Sequence, residues 1–207
     1  MINKYRRTVN KEEEHSNFWP TFTDLLATVL MVVIMFLISS ESMVGGVEQD
    51  IAKNVNNSVK KTLNENGVPI EVDKETGNIT FGETTLFDTD SYELKPEAKE
   101  ILKGFIPQYV ETIYKDYGEY ISKIIVEGHT DDVGTYIYNL DLSQKRAFSV
   151  VNYIVGEEIG DYKFKDKLTK DIVAIGRSKA ENIENTDGSI NREKSRRVEI
   201  KYEVNVK

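Results

Sequence analysis

Cysteine is absent from the 207 residues of the sequence. The fold therefore cannot depend on a disulfide, a zinc–thiolate site or a thiol nucleophile, and the sequence offers no cysteine for a lipid anchor. Histidine is scarce too, since the chain has only His15 and His129. Two histidines far apart give no clustered ligand set, so neither a metal site nor a cofactor is expected. We interpret His129 as a hydrogen-bonded structural residue.

Basic residues are outnumbered by acidic ones, 27 to 35, so the formal net charge is -8. Neutralising phosphates needs a concentrated basic surface, and no such stretch is present, so nucleic acid is not an expected partner. With 39% hydrophobic and 30% charged residues, the composition is typical neither of a polytopic membrane protein nor of a disordered chain. The length predicts one globular domain together with a membrane or linker portion.

One long apolar run, from residue 18 to residue 40, reads FWPTFTDLLATVLMVVIMFLISS and holds a single ionisable group, Asp24. As a helix, the uncharged part after Asp24 would be only about 21 Å long, whereas a helix from Phe18 reaches about 31 Å and crosses a hydrocarbon core of ~30 Å. The run is therefore predicted as a transmembrane helix with the Asp24 carboxylate inside the membrane. The alternative is that Thr23 or Asp24 caps a shorter helix.

Charged residues are distributed unequally around this run, and the positive-inside rule places the basic side in the cytoplasm. Residues 1–17 are accordingly predicted as a cytoplasmic tail of a single-pass inner-membrane protein, with an extracytoplasmic or periplasmic C-terminal domain. A cleaved signal peptide is the alternative, but Asp24, the acidic run at 12–14 and the lack of a small-x-small site argue against it. The basic residues before the run are Lys4, Arg6, Arg7 and Lys11, and the acidic residues after it are Glu41, Glu48 and Asp50.

Residues 41–68 carry apolar side chains at every fourth position of a polar stretch, which is typical of an amphipathic helix. We predict a linker helix just outside the membrane, with a plug or pairing segment as the alternative. Gly67 and Pro69 are predicted to end it. The apolar positions are Val47, Ile51, Val55, Val59 and Leu63.

Residues 69–207 alternate between strand and helix patterns. A β-hairpin is predicted at 70–81, a helix from Pro96, a strand at 123–128, a second helix from near Asp141 or Ser143, and strands at 172–175 and 198–204. The order strand, helix, strand, helix, strand, strand (βαβαββ) predicts a two-layer α/β sandwich behind the single transmembrane helix.

Three motifs in this region stand in a fixed order: VEGHTDDVG at 126–134, NLDLSQKRA at 139–147 and SRRVEI at 195–200. Together with LFDTDSYEL at 86–94 they closely resemble the OmpA-like peptidoglycan-binding domain, over roughly residues 75 to 205. The resemblance implies that Asp131 and Arg146 grip the free amine and carboxylate of the diamino acid in the peptidoglycan stem peptide.

The chemistry of such a ligand agrees with this assignment, because a zwitterionic end needs a carboxylate for its ammonium and a guanidinium for its carboxylate. The alternative is a structural ion pair between Asp131 and Arg146. The residues that the resemblance implies shape the pocket are Thr130, Asn139, Phe87 and Asp88.

The apolar run itself, WPTFTDLLATVLMVVIMFLI, resembles the ion-carrying helix of flagellar-motor B subunits and their relatives. There an aspartate sits just inside the cytoplasmic end of the helix after an aromatic residue. The resemblance implies that Asp24 binds the transported H⁺ or Na⁺, and Thr28, one turn along the same face, is a possible second ligand.

The two resemblances together predict the B subunit of an ion-driven membrane stator anchored to peptidoglycan. Its expected partners are a polytopic subunit like the A subunit of such motors, and a second copy of the chain. The short linker favours a non-flagellar role, such as that of Zorya-type phage-defence systems. A passive membrane-to-wall tether is the alternative; an enzyme is not expected, because no nucleophile and base pair is recognisable.

Overall fold

The computed structural model describes residues 18–66 and 70–205. The chain divides into two units, Met1–Gly45 and Gly46–Lys207. The first helix, α1, runs from Phe18 to Asn66. Gly67 and Pro69, which were predicted to end it, and the tail at 1–17 lie outside the described residues.

In the first unit, the described chain is the apolar part of α1. Its segment Trp19–Ser39, 21 residues, is long and apolar enough to cross a membrane, and none of it is buried inside the protein. A helix that packed into the core of a soluble domain would instead bury such residues. The expected apolar helix is thus present with the predicted length.

In the second unit, the end of α1 packs onto the globular domain. Ile51, Ala52 and Val55 are at most 1% exposed, and Asn54 donates a hydrogen bond to the Tyr117 hydroxyl at 2.6 Å. The side chains of Val47, Val59 and Leu63 lie outside the described residues. The compact unit therefore begins at Gly46, before the predicted boundary at residue 69, because the apolar face of the helix is used for packing on the domain.

The domain is built on a five-stranded sheet with the order β1-β2-β5-β3-β4. Only β3 and β4 are parallel; the other neighbours are antiparallel. The strands are β1 (Ile70–Val72), β2 (Ile79–Gly82), β3 (Ile121–His129), β4 (Ile172–Gly176) and β5 (Arg197–Val204). The predicted strands are all found, and the last of them along the chain lies in the middle of the sheet.

Helices cover one face of the sheet and close the core. The long helices α3 (Pro96–Tyr117) and α4 (Tyr136–Val155) contact β3. Short helices are α2 (Glu83–Leu86), α5 (Lys165–Asp171) and α6 (Arg192–Ser195). This is the predicted two-layer α/β sandwich, which follows one apolar helix along the chain.

The start of α4 differs from the prediction. The helix begins at Tyr136, capped by the Thr135 hydroxyl, which accepts a hydrogen bond from the Tyr138 amide at 3.2 Å. Asp141 and Ser143, the predicted starting points, lie within it. Ser143 is fully buried, and its hydroxyl receives the Ser178 amide, so its polar group serves a tertiary contact instead of a cap.

Two glycines allow α4 to lie close to the sheet. A Cβ at Gly128, on β3, would meet the Ser143 carbonyl oxygen at 2.2 Å, and one at Gly176, on β4, would meet the Gln144 amide at 2.6 Å. No larger residue fits at either position without a backbone shift. This close approach brings the residues that follow β3 next to the first turns of α4.

Candidate functional site

Asp131 lies just beyond the end of β3 and is held by two neighbours. Its Oδ1 accepts the Val133 amide at 3.0 Å, and its Oδ2 accepts a hydrogen bond from Arg196 Nη1 at 2.6 Å. Arg196 follows α6 directly and precedes β5. The loop after β3 and the entry to the central strand therefore meet at this carboxylate.

Arg146 projects from α4 into the protein and is 2% exposed. Its Nη2 forms an ion pair with Glu83, and its Nε donates to the Ser91 carbonyl at 2.8 Å. The guanidinium carbon also stands 5.3 Å from the centre of the Phe87 ring, a cation–π distance. The guanidinium is thus held inside the fold by one carboxylate, one backbone carbonyl and one aromatic ring.

Glu83 joins these two halves of the site. Its second oxygen accepts Arg196 Nε at 2.6 Å, so the groups alternate in the order Asp131, Arg196, Glu83, Arg146. We call these four residues the charge chain. Asp131 and Arg146 are not paired directly, so the structural ion pair considered from the sequence is wrong in that form.

The remaining predicted pocket residues lie around the charge chain. Asn139 is buried, and its amide donates to the Val133 carbonyl at 2.8 Å, which fixes the loop that carries Asp131. Thr130 is buried, and its amide donates to the Ser178 carbonyl at 3.0 Å. Phe87 is buried under Arg146, whereas Asp88 is exposed. Asn139 and Thr130 act on loop geometry, and Asp88 is available to solvent.

Sequence reasoning missed Glu83 and Arg196 as members of the site. Arg196 stands within the SRRVEI motif, so its signal was present. Glu83 belongs to no motif, and it becomes a site residue only because α2 places it between two arginines that are 63 and 113 positions further along the chain.

Access to the charge chain increases from Arg146 to Arg196. The exposed fraction of the side chain is 2% for Arg146, about a tenth for Glu83 and Asp131, and 33% for Arg196. The Asp131 carboxylate holds the pKa of Arg196 above its usual range, so this guanidinium is permanently charged. An anion that arrives from solvent therefore meets Arg196 before Arg146.

Asp24 lies inside α1, which begins at Phe18, so the alternative in which Asp24 caps the helix is excluded. Its side chain and that of Thr28 are exposed on the apolar helix. The Thr28 hydroxyl donates to the Leu25 carbonyl at 2.8 Å, so its oxygen lone pairs remain available. The pairing of Asp24 and Thr28 as ion ligands stays a prediction.

His129 ends β3 and differs from its predicted state. Its side chain is fully buried, yet neither ring nitrogen has a hydrogen-bond partner within residues 18–66 and 70–205. The interpretation as a hydrogen-bonded residue is therefore wrong. Glu127 and Glu181 place carboxylate oxygens near the ring, so the expectation that no ligand set is clustered also fails.

Comparison with known proteins agrees with the fold and the motifs. The model of the OmpA family matches residues 86–196. Zorya protein ZorB from Escherichia coli strain Crooks is 30% identical over 94% of this chain and 91% of its own length. ZorB from Escherichia coli O139:H28 is 28% identical over 66% of this chain and 60% of that protein.

The crystal structure of a putative MotB-like protein from Desulfovibrio vulgaris covers 78% of this chain and 98% of its own, with a TM-score of 0.52 and 20% identity. At that identity the similarity establishes the fold alone.

These findings define the protein as an OmpA-like α/β domain that follows one apolar helix. The chain belongs to the OmpA family and is a homologue of the Zorya protein ZorB. None of the relatives described here is named as an enzyme.

Proposed function

We propose that this protein is the B subunit of an ion-driven stator in the cytoplasmic membrane and that its OmpA-like domain anchors the stator to peptidoglycan. The observation that carries the proposal is the position of Asp24. It is the only ionisable group in residues 18–40 and lies within a helix that can cross a membrane. Similarity to ZorB extends over nearly the whole chain, apolar helix included.

Energetics support a working role for Asp24. An ionised aspartate near the centre of a membrane helix costs about 2.5–3.5 kcal/mol on insertion scales, and a passive tether gains nothing from that cost. A charge that crosses the membrane releases ~2.3 kcal/mol per 100 mV. That energy drives a conformational step only if the carboxylate is exposed alternately to the two sides.

A single helix forms no such pathway, so the proposal includes a polytopic partner. Two copies of the chain insert their helices into a ring of that partner, and binding of H⁺ or Na⁺ at Asp24, assisted by Thr28, biases the ring between two states. Attachment to the cell wall holds the B subunits still while the partner moves.

Wall attachment uses the charge chain. The free end of a stem-peptide diamino acid carries an ammonium, which pairs with Asp131, and a carboxylate, which suits a guanidinium fork. Arg196 meets this carboxylate first because it is the most exposed of the four. Arg146 then binds the ligand carboxylate as well. For this, Glu83 turns towards the ligand ammonium, and the ligand carboxylate replaces the Glu83 carboxylate as the partner of Arg146.

The biological role that we favour is defence against phage rather than rotation of a flagellum. The support is the relation to ZorB, which covers both chains almost completely. The short segment between the apolar helix and the first strand fits a compact stator.

The decisive experiment replaces Asp24 by Asn in the full chain, expressed with its polytopic partner. Asn has nearly the same shape as Asp and still forms hydrogen bonds, but it can neither release a proton nor carry the charge that binds Na⁺. Membrane insertion, partner assembly by pull-down and sedimentation with peptidoglycan are expected to persist. Ion flux and phage protection are expected to vanish.

Asp50→Asn is the matched control, because Asp50 is an exposed carboxylate on α1 outside the apolar segment, and this variant is expected to remain active. Full activity of an assembled Asp24→Asn complex would show that the protein is a passive tether between membrane and wall.

A further inference from the structure

The face of the sheet opposite the helices carries a cluster of charged residues where β3 and β5 run side by side. Val126, Val198 and Ile200 point into the core, so the alternate residues of β3 and β5 point the other way. Glu127 is paired with Glu199 across the two strands, and His129 is paired with Arg197. The segment after β4 brings Glu181 to this face, where its carbonyl accepts Arg197 Nη1 at 3.1 Å.

His129 is the anomaly on this face. A fully buried imidazole whose two nitrogens have no hydrogen-bond partner among the described residues leaves a donor and an acceptor unsatisfied, which is unfavourable unless a ligand binds there. Burial, and after it the nearby Arg197, lower the pKa of the ring to about 4. A neutral imidazole is the form of histidine that binds metal ions.

The carboxylates around His129 stand at ligand spacing. One ligand atom each from Glu127, His129 and Glu181 lie within 4.8 Å of one another, and His129 Nε2 is 3.6 Å from Glu127 Oε2. Two ligands of a tetrahedral Zn²⁺, each at about 2.1 Å from the ion, are about 3.4 Å apart. The His129–Glu127 distance is close to this value, and the distances to the Glu181 carboxylate, at most 4.8 Å, would have to shorten by up to about 1.4 Å.

We propose that Glu127, His129 and Glu181 bind a divalent transition-metal ion, Zn²⁺ in the first place. One imidazole and two carboxylates are a donor set suited to zinc, whereas Mg²⁺ and Ca²⁺ prefer oxygen ligands alone. A water molecule completes the four-coordinate site. None of these three residues belongs to the charge chain or to the apolar helix, so the site is independent of the proposed function.

Two basic side chains on this face, Lys201 and Arg177, compete with the metal for the carboxylates of Glu127 and Glu181. Lys201 Nζ is 2.6 Å from Glu127 Oε2 and 2.8 Å from Glu199 Oε2, so it keeps one carboxylate when the metal takes the other. Arg177 pairs with Glu181, but its side chain is 43% exposed and can turn to solvent. Lys201 therefore competes with the metal for the Glu127 carboxylate, and removing the Lys201 ammonium favours metal binding.

Metal binding would have one mechanical consequence. Glu181 belongs to the segment between β4 and α6, and α6 leads directly to Arg196. A metal ion that joins Glu181 to Glu127 and His129 on β3 would fix the position of this segment on the sheet.

The test is isothermal titration calorimetry of ZnCl₂ into the full chain in detergent, purified without a polyhistidine tag and stripped with a chelator. One equivalent is expected to bind, and MgCl₂ is expected to give no comparable heat. Glu181→Gln and His129→Ala are expected to weaken binding by at least about tenfold. His15→Ala, the matched control, is expected to leave it unchanged.

Lys201→Gln is expected to tighten Zn²⁺ binding, because the competing ammonium is gone. This variant keeps the test valid if His129→Ala fails to fold, since Lys201 is partly exposed and Glu181 is half-buried. Equal affinity of the wild type and Glu181→Gln, or the lack of Zn²⁺ binding by both the wild type and Lys201→Gln, would overturn the proposal.

Discussion

The guanidinium of Arg146 is paired inside the protein with the carboxylate of Glu83, and the same carboxylate reaches Arg196. An arginine that the sequence assigns to ligand binding is therefore already neutralised in the folded chain. Glu83 compensates this buried positive charge, and in the function that we propose a ligand carboxylate would replace it as the partner of Arg146.

Replacing Glu83 by Gln is expected to lower the free energy of unfolding by about 3 kcal/mol, because one buried guanidinium charge loses its partner. Urea unfolding of a fragment with residues 46–207, followed by circular dichroism, measures the change. Glu93→Gln removes an exposed carboxylate nearby and is expected to alter the stability by less than about 0.5 kcal/mol. Equal stability of the two variants would show that Glu83 is not needed to compensate Arg146.

Replacing Asp131 by Asn is expected to reduce co-sedimentation with purified peptidoglycan by at least about tenfold, since a buried charge partner of a ligand ammonium is worth 2 kcal/mol or more. The neighbouring Asp132→Asn is the control: Asp132 pairs with Arg192 at 2.7 Å and is not a member of the charge chain, so its replacement is expected to leave binding intact. Circular dichroism checks that both variants fold. If Asp131→Asn sediments as well as the wild type, Asp131 does not hold the ligand.

Gly77→Ala tests the contact between α1 and the domain. Gly77 has φ +72°, and a Cβ there would meet the Ala52 Cα at 2.8 Å. Gly188 has φ +82° with open space around it, so Gly188→Ala reports the backbone strain alone, about 1 kcal/mol. Gly77→Ala is expected to cost at least about 1 kcal/mol more and to increase amide hydrogen exchange at residues 49–55. Similar losses for both variants would mean that this contact does not form in solution.

The charge difference across the apolar run predicts the orientation of the chain in the membrane. A reporter enzyme that is active only outside the cytoplasm is expected to be active when it is fused after Lys207 and inactive when it is fused after Lys11. The opposite pattern would reverse the topology. Recovery of a mature chain that begins near Glu41 would identify a cleaved signal peptide and remove the stator proposal.

Local chemistry explains which elements the sequence could predict. The β1–β2 turn was recognisable because Asp73 accepts the amides of Glu75 and Thr76 at 2.9 and 2.7 Å, and Gly77 takes the positive φ. Pro96 marked the start of α3, because proline is favoured in the first turn of a helix. Such signals involve residues that are close together in the sequence, so they can be recognised without the tertiary structure.

The start of α4 could not be read in the same way. Ile137 and Tyr138 are 72% and 50% exposed, so the first turn shows no apolar periodicity that faces the core. Asp141 and Ser143 are residue types that often cap helices, and they drew the prediction to a later position. The actual cap, Thr135, is equally suitable by residue type alone.

The residues of the site that lie in recognisable motifs could be predicted from the sequence. Their partners could not, because they come from distant segments of the chain. Asp131 and Arg146 stood in recognisable motifs, but the partner of Arg146 is 63 residues away in sequence, and that of Asp131 is 65. His129 and Glu181 are likewise brought together only by the register of the sheet and the path of the following segment. Pairings of this kind depend on the tertiary fold.

The position of β5 has a consequence for the order in which the protein matures. This strand comes last of the five along the chain but lies between β2 and β3. While the chain emerges N-terminus first, the hairpin of β1 and β2 has no neighbour to join, and Arg196, at the entry to β5, is still missing from the charge chain. The sheet can therefore be completed, and the charge chain closed, only after β5 has been synthesised. In the topology that we propose, peptidoglycan binding has to wait until this last strand has crossed the membrane.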